Sequence, residues 1–230
     1  MDDYTGRLEE LLLEPYKNAS ARLSLAGGLA PKAGQYLLAN RSASPEEILP
    51  ITLFPAGYQA RASTETSLLV SGDLPAQWGA GDQLTLRGPL GKGFQLPRRL
   101  RRLALIALDE RPARLLPLLA EARERSLQVT LFADQDAPEL PLEVEVQPLS
   151  AASEARSWAD FIALDLRPDQ VEDLPEILGS RRGLDGQALV AGPMPCGGMA
   201  QCGICSLRIG NADKLVCEDG PVFELSTLLS

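Results

Sequence analysis

Between residue 6 and about residue 97, short apolar runs alternate with turn-forming residues. The runs are Arg7 to Leu13, Ala21 to Leu25, Gln35 to Ala39, Ile51 to Phe54, Ser67 to Val70 and Gln83 to Leu86, bounded by Gly, Pro, Asn and Ser. Short strands at such spacing predict a small antiparallel β-barrel. Leu8 to Tyr16 also places Leu8, Leu11, Leu12 and Pro15 at helical spacing, but Lys17-Asn18 ahead of a second apolar run favours a hairpin.

From Leu103 the period changes. An apolar strand (LALIAL) leads to a helical segment from Pro112 to Arg125, with Leu115, Leu116, Leu119 and Ala122 on one stripe, and then to a strand at Gln128 to Phe132. Strand-like Glu143 to Val146, Phe161 to Leu166 and Ala188 to Ala191 follow, with a short helix from about Gln170 to Leu178. Strands alternating with helices predict a parallel sheet wrapped by helices. The expected architecture is a barrel over residues 1–99, an α/β unit over 100–192 and a cysteine-bearing tail over 193–230. No internal repeat or low-complexity segment interrupts it.

The chain has 230 residues, 45% of them hydrophobic, which is enough for a buried core without covalent staples. A net charge of -9 argues against nucleic acid or an anionic membrane as the main partner. The basic run Arg98, Arg99, Arg101 and Arg102 reads as a solvated linker. The opening MDDYTGRLEE has no basic start followed by an apolar stretch, and no apolar run approaches the roughly 18 residues needed to cross a bilayer. A cytoplasmic protein is therefore expected, in which the sequons at Asn18 and Asn40 carry no weight. The chain has no histidine, which excludes His-dependent triads, HExxH zinc sites and Rieske centres.

All four cysteines fall in the last 35 residues, spaced C-x5-C-x2-C-x11-C: Cys196, Cys202, Cys205 and Cys217. Structural disulfides are not expected in a reducing cytoplasm, so the cluster points to a metal. Four thiolates suit zinc or iron–sulfur. A zinc ribbon usually offers two C-x2-C knuckles, and here only Cys202 and Cys205 make one. Three ligands packed together with a distant fourth follow the plan of a [2Fe-2S] loop. Gly197, Gly198 and Gly203 suit a backbone that must aim N–H groups at sulfur. A zinc-stabilised, non-redox binding or scaffold module is the alternative.

Two segments, Gly88 to Pro97 (GPLGKGFQLP) and the tail closing in CEDGPVF at Cys217 to Phe223, resemble the electron-transfer subunit of the two-subunit, NAD-dependent dihydroorotate dehydrogenase, a relative of the ferredoxin reductases. The resemblance implies an FAD-domain-like barrel, a nucleotide-domain-like α/β unit and a [2Fe-2S] tail. It further implies a cytoplasmic hetero-oligomer in pyrimidine biosynthesis, in which electrons pass to or from an FMN-bearing catalytic subunit. The family's flavin strand maps onto Pro50, Thr52 and Leu53, with Leu49 where its arginine would stand, so FAD is an optional further cofactor. Where the family has a glycine-rich turn, this chain reads Asp109-Glu110-Arg111-Pro112: two carboxylates, no glycine and a proline without an N–H. NAD is therefore not expected. Arg87, Lys92, Phe94 and Trp78 are further candidate flavin contacts in the barrel, the alternative being that Trp78 and Phe94 close the barrel while Arg87 and Lys92 are solvated. No side chain reads as an acid, base or nucleophile toward a substrate.

Overall fold

The computed structural model describes residues 3–13, 19–26, 30–42, 49–57, 67–109, 112–134, 140–141, 143–179, 185–196 and 198–229. The six N-terminal apolar runs become β1 (Asp3–Leu13), β2 (Ala19–Ala26), β3 (Tyr36–Arg41), β4 (Ile51–Pro55), β5 (Ser67–Gly72) and β6 (Gln83–Leu90). They close into an antiparallel barrel in the order β1-β2-β5-β4-β3-β6. Alternating positions point inward, so Leu8, Leu23, Leu37, Leu53, Val70, Leu84 and Leu86 fill the barrel, and Trp78 closes it. Pairing of Leu8 to Leu13 with β2 bears out the hairpin over the helix, while its turn at Lys17-Asn18 lies outside the described residues.

The second layer is a sheet of five parallel strands, β7 (Arg102–Ala107), β8 (Gln128–Phe132), β9 (Glu145–Gln147), β10 (Phe161–Leu166) and β11 (Gly186–Val190), in the order β11-β10-β7-β8-β9. Every residue of β10 is buried, as a central strand covered on both faces requires. The predicted helix from Pro112 to Arg125 is instead a 3-10 turn at Pro112–Arg114 followed by α1 (Leu118–Glu124). Pro117 has no N–H to give to Ala113, and the Ala113 carbonyl accepts the Gly57 N–H from the barrel instead, at 2.8 Å. Pro175 divides the second predicted helix in the same way, into a 3-10 segment Pro168–Asp173 and a short helix Leu174–Leu178. Between β9 and β10 a helical connection over Leu149–Glu154 and Ala155–Trp158 had no counterpart in the apolar pattern.

The cysteine-bearing segment does not trail away from the sheet. It forms a hairpin, β12 (Ser206–Ile209) and β13 (Ala212–Leu215), a single helical turn at Val216–Asp219, and β14 (Val222–Glu224), which adds antiparallel to β11 at the sheet edge. Val222, Phe223, Leu225, Leu228 and Leu229 are all buried there. One apolar core runs through the sheet and this segment and takes in Tyr36, Leu38 and Phe54 from the barrel. Among the described residues, no helix is long and apolar enough to cross a membrane.

Candidate functional site

The four cysteines are free thiols, and the fold brings them together as two pairs. Cys202 lies beside Cys196, and Cys205 beside Cys217. Cys205 and Cys217 are buried, whereas Cys202 is exposed and Cys196 is half-buried. Among the described residues, no group of three or more Cys, Asp or Glu side chains is placed to hold one metal ion.

The loop between Cys196 and Cys202 turns its backbone N–H groups inward. Those of Gln201, Cys202 and Met199 donate to the Cys196 sulfur, and that of Ala200 donates to Cys217. The geometry requires left-handed backbone at Gly198 (φ 74°) and Ala200 (φ 56°). Burial alone would raise the Cys196 thiol, but these donors hold it down to about 6. Cys217 goes the other way. Burial and its own hydrogen bond to Cys205 push it up to about 12.

Tyr36 is the floor of this arrangement. Its side chain is fully buried, its ring lies 6.0 Å from that of Phe54, and its hydroxyl has no hydrogen-bond partner among the described residues. Burial raises the phenol, and nearby Cys217, Cys205 and Cys196 raise it further, so the hydroxyl keeps its proton. A Cβ at Gly91 would stand 2.9 Å from the Tyr36 ring and 2.4 Å from Pro221, and one at Gly198 would stand 3.0 Å from the Tyr36 hydroxyl. The Lys92 N–H donates to the Gly220 carbonyl at 2.8 Å. GPLGKGFQLP and CEDGPVF, far apart in sequence, therefore pack against each other beside the thiols.

Two cavities flank the centre and share Pro50 and Pro195. One, of about 260 Å³, runs along the barrel from Asp3 and Arg87 past Asn40 to Cys196 and Met199. The other, of about 380 Å³, lies between the barrel and the C-terminal ends of the parallel strands, walled by Pro50, Thr52, Phe54, Asp109, Arg114 and Arg167. Pro50 and Thr52 thus reach the cavities, and Thr52 Oγ1 also accepts the Met194 N–H at 3.3 Å. Leu53 packs in the barrel core instead. Buried Asn40 Oδ1, in the wall beside Cys196, has no partner among the described residues. Arg87 is bound to Asp3 at 2.8 Å, and Lys92 is exposed. Phe94 joins the sheet's core rather than the barrel's. Half of the basic run is engaged by Asp160, which accepts the N–H groups of Arg101 and Arg102 and binds the Arg102 guanidinium at 2.9 Å.

The Asp109 turn is built around an ion cluster. Arg114 is buried, pairs with Asp165 at 2.8 Å and with Asp109, and stacks over Phe54 of the barrel at 5.7 Å. Arg167 reaches Asp109 at 3.1 Å and Asp169 at 3.1 Å. Burial works against the Arg114 charge, but Asp165 and Asp109 more than restore it, so its pKa is raised. The helical stretch that starts at Pro112 is only three residues long, too short to present a helix N-terminus. Glu110 and Arg111 of the turn lie outside the described residues.

The cysteine pattern was legible in the sequence; the supporting groups were less so. Met194 is 1% exposed, because its N–H is tied to Thr52 and its side chain enters the core. Met199 and Ile204, at 57% and 63%, are the exposed apolar residues beside the thiols, whereas Val222 and Phe223 pack inward. Tyr36 and Asn40 gave no signal, since each sits in an ordinary strand run and only the barrel's closure turns it toward the cysteines.

No family model matches the chain, and no curated protein does. Solved structures do. An NADH-dependent reduced ferredoxin-NADP oxidoreductase studied for flavin-based electron bifurcation superposes with a TM-score of 0.71 at 15% identity, over 96% of this chain and 88% of that one. Phthalate dioxygenase reductase, described as modular for electron transfer from pyridine nucleotides to [2Fe-2S], gives 0.58 at 11% identity over 98% and 77%. The Amycolatopsis cytochrome P450 reductase GcoB gives 0.56 at 20% identity over 80% and 69%. The chain has the ferredoxin-reductase fold, a barrel of the FAD-binding type followed by a sheet of the NAD-binding type.

The ion cluster at the joint generates a prediction. Arg114→Met removes the buried cation that Asp109 and Asp165 share, leaving Asp109 its contact with Arg167, and is expected to cost about 3–5 kcal/mol, read by urea unfolding. Adding Asp165→Asn is expected to recover much of the loss. A single variant as stable as the parent would show that the cluster does not hold the joint.

Proposed function

We propose that the chain is an electron-transfer subunit that holds a [2Fe-2S] cluster at Cys196, Cys202, Cys205 and Cys217 and relays electrons to or from a flavin-bearing dehydrogenase. The observation that carries this reading is the pairing of the thiols beneath inward-turned backbone N–H groups. A zinc ribbon usually offers two C-x2-C knuckles, and this chain has one, Cys202 and Cys205. A two-iron cluster asks for two thiolates at each iron, which two pairs supply. N–H groups from Met199 to Cys202 offset the negative charge of the sulfurs. When bound, the cluster supplies one-electron transfer; the protein supplies position and electrostatics.

FAD belongs to the same reading. Pro50, Thr52, Asn40 and Arg87 line the cavities beside Cys196 and are the residues that would hold a flavin, with Asn40 Oδ1 as an uncommitted acceptor. A bound flavin supplies exchange between two-electron and one-electron steps. A nicotinamide dinucleotide is not part of the proposal. Where its pyrophosphate would need free donors, Asp109 presents like charge, and Arg114 and Arg167 are already neutralised by carboxylates. Dihydroorotate dehydrogenase is the specific partner suggested by the sequence resemblance, and a cytoplasmic hetero-oligomer goes with it.

Three outcomes test the reading. Anaerobically purified protein is expected to be brown, to bleach with dithionite and to lose its visible and EPR signals on Cys217→Ser. A colourless protein with stoichiometric zinc would establish the non-redox module instead.

The protein alone is expected to oxidise NADH negligibly in a dye-reduction assay, and titration should show no micromolar binding. Rapid, tight turnover would mean that the Asp109 turn has been misread.

Met199→Glu charges the exposed apolar surface beside the outer thiols, while Met199 itself is not a ligand. The variant is expected to keep the cluster spectrum but to bind the dehydrogenase at least tenfold more weakly, about 1.4 kcal/mol. Unchanged co-purification and electron transfer would place the docking face elsewhere.

A further inference from the structure

Tyr36 carries a polar group in a place where a phenylalanine would fit the same space. Its ring is held on several sides, by Phe54, by the strand end at Gly91 and by Gly198 of the cysteine loop. The hydroxyl cannot swing to solvent, because the side chain is fully buried, and it has no partner among the described residues. A buried hydroxyl without an acceptor is unfavourable, so its retention calls for an acceptor that comes into place when the site is filled. Cys217, Cys205 and Cys196 are the thiols close enough to act on its charge. Gly198 leaves room beside the hydroxyl. A Cβ there would come within 3.0 Å of the hydroxyl oxygen.

We infer that Tyr36 sets the reduction potential of the centre by donating its hydroxyl hydrogen bond to a sulfur on the Cys205 and Cys217 side. The inference rests on the cluster reading proposed above and adds to it a residue that is not a ligand. One-electron reduction adds one negative charge to the centre. A fixed donor within reach stabilises the reduced form more than the oxidised one, which raises the potential. The backbone donors of residues 199–202 serve Cys196 and Cys217. Tyr36 is a positioning and tuning residue, not a catalytic one.

The test is an EPR-monitored potential titration of iron-loaded wild type and Tyr36→Phe. The variant is expected to bind iron with the same stoichiometry and visible spectrum. Its reduction equilibrium against a fixed dye is expected to shift about tenfold toward the oxidised form, about 59 mV for a one-electron couple. Placing 3-fluorotyrosine at position 36 alone keeps the shape, makes the hydroxyl a stronger donor and is expected to shift the equilibrium the other way. This second variant decides the question if Tyr36→Phe does not assemble. Iron-loaded variants with the wild-type potential would overturn the tyrosine's role and leave the cluster reading standing. A wild type that takes up no iron–sulfur centre would overturn both.

Discussion

The barrel and the parallel sheet meet so closely at Gly91 that no side chain can stand between them. Pro221 and Tyr36 occupy the space where a Cβ would go, and Lys92 hydrogen-bonds to Gly220 next door. This approach fixes the end of β6 against the turn after Cys217. It therefore also fixes Tyr36 beneath the cysteine loop and Pro50 beside Pro195. Both cavities and both cysteine pairs take their positions from that one contact between backbones.

A second fastening lies on the far side of the larger cavity. There Arg114 is shared between Asp109 and Asp165 of the sheet and lies over Phe54 of the barrel. The Ala113 carbonyl, released from helical bonding by Pro117, takes the Gly57 N–H across the same joint. In a nucleotide-binding member of such a fold, these strand ends would have to stay open for a phosphate. Here Asp109, Arg114 and Arg167 line the larger cavity at these strand ends and are tied to one another and to Asp165.

Much of this was legible from residue order. The period-2 runs gave the barrel because each strand has one wet and one dry face. The continuous apolar runs at Leu103 and Phe161 gave the sheet because its centre is dry on both. The helix from Pro112 to Arg125 and the short one from about Gln170 to Leu178 are each broken up, since apolar spacing says nothing about an N–H that Pro117 and Pro175 lack. The cysteines announced themselves by clustering. Tyr36, Asn40 and the Arg114 cluster did not, because each depends on residues from distant strands meeting across the joint.

β14 lies only five residues beyond Cys217, and its side chains complete the core at the sheet edge. Ligation and sheet completion are therefore not separate events in the thermodynamic sense. Whatever binds at Cys217 favours the docked strand, and whatever holds Phe223 and Leu225 in place raises the affinity at Cys217 by the same factor, since such linkage is reciprocal. The last dozen residues thus act as a counterweight. Their apolar burial is thereby coupled to whatever Cys217 holds.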